Sequence, residues 1–177
     1  MVLDQLTAQH IGGQAPGEFE LQRQNNGLLH IVGLEGNSDN VITLGLQSFP
    51  IPKVSSGIIE VDYLNEKRKF AGKPTFDDLS VVIRDYVDRD MAGILLRWRS
   101  LVYDHVNGKI GRAANMKKQA RITLYSPTGD LPREYELQGV WPSSFDGGEI
   151  DMSADDGVNI TMVLTYDKFV PRFNRGA

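Results

Sequence analysis

The chain has 177 residues, 41% of them hydrophobic, and a formal net charge of -4 at pH 7. This length suffices for one domain with a single core. The absence of cysteine excludes a disulfide framework, a thiolate metal site and a cysteine nucleophile. No apolar run approaches the ~20 residues of a membrane span, and the net negative charge argues against tight electrostatic binding of nucleic acid. We therefore expect a soluble protein without a membrane partner.

The first segments with a regular pattern predict a hairpin. FELQRQ (19–24) and LLHIVGL (28–34) predict two strands, because the NNG between them is a typical hairpin turn. A second turn follows at GNSDN (36–40), and VITLGLQ (41–47) predicts a further strand. The chain therefore begins as antiparallel sheet.

The segment SFPIPKVSSG (48–57) contains Pro50 and Pro52, which predict an irregular, extended connection outside any central strand. GIIEVDYL (57–64) then alternates and predicts a strand with one apolar face and one acidic face, the latter formed by Glu60 and Asp62. KRKFAG (67–72) continues it, either after a turn or as one long bulged strand. Periodicity leaves both alternatives open.

GKPTFDD (72–78) predicts a turn, and LSVVIRDYV (79–87) predicts a mostly buried strand. Apolar residues from Met91 to His105 recur at spacings of three and four, which predicts an amphipathic helix. We expect Asp88 or Asp90 to cap its start and Gly108 to end it.

The remaining segments predict more antiparallel sheet. KIGRAANMKK (109–118) reads as a loop, whereas QARITLY (119–125), REYELQG (133–139) and NITMVLTY (159–166) alternate as strands. Several alternating strands around one helix are typical of a mainly β, α+β protein, without the rhythm of a parallel sheet. We expect an antiparallel β-sandwich or barrel with one flanking amphipathic α-helix, in a single domain over residues 1–177.

No motif in the sequence predicts catalysis. DMSADDG (151–157) resembles a calcium loop, but its sixth and twelfth positions, Asp156 and Met162, do not fit one, so we interpret it as a polar turn before a strand. The pair Gly72–Lys73 lacks the first glycine and the helix of a phosphate loop. We expect no catalytic, cofactor-binding or metal-binding residue and no enzymatic activity.

The order of segments in the latter two-thirds of the chain resembles a known family. FAGKPTFDD precedes a strand and one helix, a loop ends in MKK before RITLY, and YELQGVWPSS and NITMVLTYD follow. In this order and spacing the chain is similar to the tail tube proteins of contractile-tailed bacteriophages, over roughly residues 48–170. The GVWP corner with its acidic turn and closing strand is the most specific part.

The resemblance implies a structural virion protein, related to the type VI secretion tube, whose six-subunit rings stack into a tail tube. Implied partners are further copies of the chain and the tail sheath, baseplate and tail-terminator proteins, with DNA passing through without specific binding. The implied location is the virion, after assembly in the host cytoplasm. Residues 1–16 and 171–177 are expected to be extended segments at the two ends.

The resemblance also assigns two sets of residues. If one sheet of each subunit lines the tube, Glu60, Asp62, Glu134 and Glu136 are predicted to face the lumen and repel phosphates. The alternative is that they face ordinary solvent or pair with Lys67, Arg68 or Arg133. An exposed loop is predicted to dock on an adjacent subunit or ring, and it comprises Pro50, Ile51, Pro52, Lys53, Val54, Ser55, Ser56 and Gly57.

Two other functions remain open at this stage. The chain could be the tube subunit of a contractile secretion or injection device, or a baseplate protein that initiates the tube. It could also be a monomeric ligand-binding or enzymatic sandwich. That last function predicts a concave pocket with converging polar groups.

Overall fold

The computed structural model describes residues 22–34, 38–129, 133–153 and 155–172. These residues form strands and short helices in the following order, with one further 3-10 turn at Val87–Arg89. The elements are β1 (Gly27–Val32), α1 (Ser38–Gly45), β2 (Leu46–Ser48), β3 (Val54–Tyr63), β4 (Glu66–Phe76), β5 (Leu79–Arg84), α2 (Met91–Ser100), β6 (Tyr103–Asp104), β7 (Lys109–Ile110), α3 (Ala113–Met116), β8 (Lys118–Leu124), β9 (Arg133–Asp146), β10 (Asn159–Thr165) and β11 (Lys168–Arg172).

A curled antiparallel sheet forms the body of the protein, with the strand order β1-β8-β9-β10-β5-β2 and with β11 also paired to β9. The first part of β9 pairs with β8 and β11, and its last part pairs with β10. We call β1, β8, β11 and the first part of β9 the β8 half-sheet. The β10 half-sheet comprises β2, β5, β10 and the last part of β9.

The core lies on one face of each half-sheet, as the alternating sequences predict. Leu29 and Ile31 of β1, and Ile122 of β8, are fully buried, while Val32 and Arg121 beside them are exposed. β5 and β10 alternate in the same way, with Ile83 and Met162 inside. Helix α2 contributes Met91, Leu95 and Trp98. The predicted fold class, a mainly β structure with a flanking helix, is confirmed.

Helix α2 starts as the sequence predicts and ends earlier. The Asp90 carboxylate accepts the Gly93 amide hydrogen (3.1 Å), which caps the first turn. The predicted end at Gly108 is wrong, because the helix stops at Ser100 and the chain enters the β6–β7 hairpin. Gly108 takes its left-handed backbone (φ 65°) in that hairpin instead.

The strand predicted for VITLGLQ (41–47) is wrong over most of its length, since residues 38–45 form α1 and only Leu46 and Gln47 lie in a strand. Tertiary packing explains the difference. Ile42 is fully buried, and a Cβ at Gly45 would lie only 2.6 Å from Met91 Cε. The helix fills the space between β1, β5 and α2, and this packing overrides the local preference of the sequence.

The segments around β3 and β4 contain two further corrections. Residues 54–57 belong to β3 rather than to a loop, so the irregular connection is limited to residues 49–53. GKPTFDD is not a turn, because β4 continues through it to Phe76. The open question at KRKFAG is decided in favour of a turn, with Leu64 left-handed (φ 53°) before β4 starts at Glu66.

The outcome at the ends of the chain is mixed. Of the strand predicted at 19–24, residues 19–21 lie outside the described part, and Gln22 to Gln24 are not in a strand. Pro171 and Arg172, predicted to belong to an extended tail, pair with β9 as part of β11. Residues 1–16 and 173–177 lie outside the described residues. The loop predicted at 109–118 contains the short helix α3.

We predict that Gly139→Ala strongly destabilises the protein, because β9 passes between the half-sheets at this residue. Gly139 has φ 70°, and an added Cβ would overlap the Asp167 carboxylate, which itself accepts from Lys117 Nζ at 2.7 Å. We expect a loss of about 2–4 kcal/mol in the free energy of unfolding, measured in urea. Gly157→Ala is the control, since nothing lies within 4 Å of its added Cβ. Equal effects would contradict the role of the bend.

Candidate assembly surfaces

The β3–β4 hairpin, residues 54–76, projects as a separate two-stranded ribbon that we call the arm. Every residue of β3 is exposed, and so are nearly all those of β4. Paired residues of an antiparallel ribbon point to the same side, so the register defines the two faces of the arm. The two faces differ in chemistry.

One face of the arm is apolar. Ile59 pairs with Phe70, Val61 with Arg68 and Tyr63 with Glu66, which places their side chains on one side. Val61, Tyr63 and Phe70 line a shallow hollow with Arg68. Ile59 and Phe70 remain 54% and 59% exposed. A contiguous exposed apolar surface of this kind is typical of a contact site for another protein.

The opposite face of the arm is charged. Glu60 lies opposite Lys69, and its carboxylate contacts Lys67 Nζ at 3.4 Å and Lys69 Nζ at 3.7 Å. Asp62 lies opposite Lys67. These ion pairs are exposed and therefore contribute little to stability. They make this face of the arm hydrophilic.

Aromatic side chains fix the base of the arm to the body. Phe76, at the end of β4, contacts Phe169 of β11 edge to face (5.6 Å between ring centroids) and Tyr166 at 6.0 Å. Tyr166 donates a hydrogen bond to the Lys53 carbonyl (3.4 Å). Burial, with a smaller contribution from the nearby Asp77 carboxylate, raises the pKa of Tyr166, so it remains a neutral donor. The arm therefore leaves the body in a defined direction.

The outward face of the β8 half-sheet is the second candidate surface. It carries charges of both signs, because Glu134 of β9 contacts Arg121 of β8 (2.5 Å) and Glu136 contacts Arg172 of β11 (2.7 Å). These residues alternate with the buried ones. The registers add His30, Gln119, Gln138 and Lys168 to the same side.

The four carboxylates predicted for the lumen therefore divide between two sheets. Glu60 and Asp62 lie on the arm, whereas Glu134 and Glu136 lie on the β8 half-sheet. Glu60, Glu134 and Glu136 form ion pairs, as the alternative interpretation expected. Of the partners predicted there, only Lys67 takes part in these pairs. Glu134 and Glu136 pair instead with Arg121 and Arg172, which lie on neighbouring strands. The strand register that brings these residues together is set by the tertiary structure.

The predicted docking loop, residues 50–57, lies at the foot of the arm. Pro52 is buried, and the Lys53 carbonyl also accepts the Asp77 amide hydrogen (3.3 Å). The Ser55 hydroxyl bonds to Thr75 across the ribbon (2.8 Å). These residues anchor the arm. The long exposed ribbon beyond them was not predicted, because GKPTFDD has the residues of a turn.

The β8 half-sheet ends in two edge strands, β1 and β11. The outer side of a strand edge carries backbone hydrogen-bonding groups, which are the usual template for pairing with a strand of another chain, and at the β1 edge helix α1 packs against them. β11 contains Pro171, which lacks an amide hydrogen, and β1 contains no proline. The two edges are therefore chemically different.

The first residues of the acidic segment, Asp151 to Ser153, form a local turn. Asp151 Oδ1 accepts hydrogen bonds from the Ser153 hydroxyl (2.7 Å) and the Ser153 amide (2.9 Å), and these bonds lower the pKa of Asp151. Among the described residues, no group of three acidic or histidine side chains is placed to hold a metal ion. The polar turn expected from the sequence agrees with this geometry.

A cleft of about 380 Å³ lies beside α2, where Ile94, Trp98 and Leu101 form its apolar wall. Its titratable lining residues are Arg97 and Lys118, which have the same sign. This cleft therefore lacks the acid and base pair that general acid-base catalysis uses.

No helix in the described part of the chain is long and apolar enough to cross a membrane.

Comparison with known proteins found a similar sequence and similar folds. No family model matches the chain. The chain is 27% identical over 119 residues to tail tube protein gp19 of Enterobacteria phage T4, covering 63% of this chain and 73% of that protein.

Two solved assemblies share the fold. The first is a chain of the anti-feeding prophage baseplate, six-fold symmetrised (TM-score 0.67, 10% identity, 89% of this chain and 99% of that one). The second is a chain of the sheath-tube complex of the PVC extracellular contractile injection system (TM-score 0.60, 14% identity, 84% and 88%).

The fold is thus shared with chains of a baseplate and of a contractile injection system, and the sequence is similar to that of a phage tail tube protein. The resemblance to phage tail tube proteins predicted from the sequence is confirmed. The relative matched by sequence is a tail tube protein, and the two solved chains come from a baseplate and from a sheath-tube complex.

We predict that two carboxylates of the candidate surfaces differ in their effect on stability. Glu134→Gln should lower the free energy of unfolding by about 1 kcal/mol, because the Glu134 side chain is only 16% exposed and contacts Arg121 closely. Glu60→Gln should change it by less than about 0.5 kcal/mol, since its pairs are exposed. Urea unfolding of both variants measures the difference, and equal losses would contradict it.

Proposed function

We propose that this chain is the structural subunit of a phage tail tube, in which rings of six copies stack into a conduit for DNA. The observation that supports this most is the arm, which is built for contact with another subunit. A two-stranded hairpin is marginally stable alone in water. The arm also exposes an apolar face that its own body does not cover. Both facts are accounted for if a neighbouring copy covers that face.

The edges of the β8 half-sheet support ring closure. In a ring, β1 of one subunit can pair with β11 of the next, so that each exposed edge is used once. Such an interface is head-to-tail, and closure leaves neither edge of the β8 half-sheet free to aggregate. The six-fold symmetry of the matched baseplate assembly supports a ring of six.

We propose that the outward face of the β8 half-sheet lines the lumen. Glu134 and Glu136 are then lumen residues, as predicted, while Glu60 and Asp62 lie on the charged face of the arm. The lumen would carry Arg121, Lys168 and Arg172 besides the two glutamates. A lining of mixed sign with fixed ion pairs would let DNA pass without specific binding, because few arginines and lysines remain free to hold phosphates.

The remaining partners follow from the same proposal. Residues 1–177 would act as one tail-tube domain, with a structural and not a catalytic role. The subunit would contact sheath, baseplate and tail-terminator proteins, would be assembled in the host cytoplasm, and would reside in the virion. A second candidate is the tube subunit of an injection device or a baseplate initiator, which the similarity to the two injection-system chains favours.

The arm is tested by substitutions on its two faces. Ile59→Thr together with Phe70→Thr should leave the melting temperature unchanged and abolish tubes in concentrated protein, because threonine keeps the strand but removes the apolar contact. Ile58→Thr is the matched control, since Ile58 is 66% exposed and pairs with Ala71 on the opposite face. Electron microscopy and pelleting measure assembly. Normal tubes from the double variant would refute the arm contact.

The lumen is tested with charge. Glu134→Gln with Glu136→Gln should give tubes that retain short double-stranded DNA at low salt and release it at high salt, because Arg121 and Arg172 lose their charged partners. Glu60→Gln with Asp62→Asn is the control and should retain no more DNA than the parent. Retention by the control alone would place the arm in the lumen instead. A parent chain that forms no tube under any condition would refute the proposed function itself.

A further inference from the structure

Helix α1 lies against the edge that the proposed ring needs. It packs on β1, the terminal strand of the β8 half-sheet, and also on β5 and α2. Its residue Thr43 donates a side-chain hydrogen bond to the Leu29 carbonyl of β1 (3.2 Å). The direction of the Leu29 carbonyl shows whether Thr43 contacts the open edge of β1 or the side that pairs with β8.

The backbone pattern shows that the Leu29 carbonyl points away from β8. The Tyr125 amide donates to the Asn26 carbonyl (2.8 Å), so the Asn26 carbonyl faces the β8 side. Carbonyls alternate in direction along a strand. Those of Leu28 and His30 therefore face β8, while those of Gly27 and Leu29 face the open edge. Thr43 therefore donates its hydrogen bond to a carbonyl on the open edge of β1.

The covered length is the part of β1 that α1 contacts. Leu46 to Ser48, which follow the helix, belong to β2 and pair with β5 instead. Phe49 lies under the start of β1, on the core face that Gly27 shares with Leu29, since a Cβ at Gly27 would lie 3.2 Å from Phe49 Cζ. Covering an edge with a helix is one way in which proteins prevent strand pairing.

The sequence of this cover favours a different conformation. VITLGLQ predicts a strand, with β-branched residues that are poor helix formers, and α1 has only eight residues. A helix this short is marginal without tertiary packing. It is also continuous with β2, so an extended form would lengthen an existing strand. A local preference that opposes the folded conformation reduces the free-energy difference between the helical and the extended forms, although the burial of Ile42 still favours the helix in the free subunit.

We propose that residues 38–45 form an autoinhibitory switch. In the free subunit they are the helix that covers the β1 edge; when a second copy of the chain offers its edge strand, they leave β1 and become extended. The cover keeps free subunits from pairing at random and makes ring closure dependent on an incoming subunit. This inference rests on the proposed tube function and specifies how its ring interface is regulated.

Opposite substitutions at one exposed position test the switch. Leu44 is 80% exposed, so its replacement changes helix and strand preference with little loss of packing. Leu44→Val should lower the concentration at which the full chain forms tubes by about two- to threefold, because valine favours the extended form. Leu44→Ala should raise it by about twofold. Shifts in the same direction, or none, would overturn the switch.

Thr43→Val removes the contact with β1 while it keeps the side-chain shape. It should lower the same concentration by about fivefold, as expected from the loss of one hydrogen bond that only the free subunit makes. Thr161→Val, a half-buried threonine on β10, is the control and should shift it by less than twofold. An equal effect of the two variants would contradict the inference.

Hydrogen exchange of the free subunit separates this inference from the tube function. Thr43→Val and Leu44→Val should each speed exchange across residues 27–32 severalfold relative to Thr161→Val, whether or not tubes form. Unchanged exchange would overturn the cover of β1. If exchange rises but the parent forms no tube, the cover stands as a structural contact, while both the ring function and the switch that rests on it are refuted.

Discussion

The bend of β9 at Gly139 is the constraint on which the other features depend. One strand of fourteen residues pairs with β8 and β11 before the bend and with β10 after it, so it belongs to both half-sheets. The left-handed glycine allows the change of direction, and the Asp167 carboxylate occupies the space where a side chain would stand. Without this bend, the two half-sheets could not close on one core.

The closed body determines what is left for contact with other molecules. The inner faces are used by the core. The outward face of the β8 half-sheet carries charges that neutralise one another through Arg121–Glu134 and Arg172–Glu136, beside the exposed side chains of Leu28, Val32 and Val170. The aromatic contacts of Phe76 with Tyr166 and Phe169 then fix the arm beside β11. The same aromatic cluster therefore positions both the arm and the edge strand β11. This arrangement suits a subunit that contacts neighbours in two directions.

Much of the fold and little of the candidate site followed from the sequence. Alternation located β1, β8 and β10, because one face of each strand is buried, and a mostly apolar run located β5. Turn residues gave a wrong prediction at GKPTFDD, because they lie in an exposed ribbon that accepts Pro74 and glycine without loss of packing. The acidic residues of the arm and of β9 were found as separate strand faces, but alternation carries no information on which strands share a sheet.

The sequence by itself determined the strand periodicity, an aspartate cap of α2 at Asp88 or Asp90, and the order of segments that resembles the tail tube family, since these depend on neighbours in the chain. Only the tertiary structure decided the conformation of residues 38–45 and the partners of Glu134 and Glu136. Ile42 and Gly45 hold α1 against Met91 and Ile83, and this contact outweighs a local preference for strand. The glutamates meet arginines distant in sequence, through a register that only the assembled sheet defines.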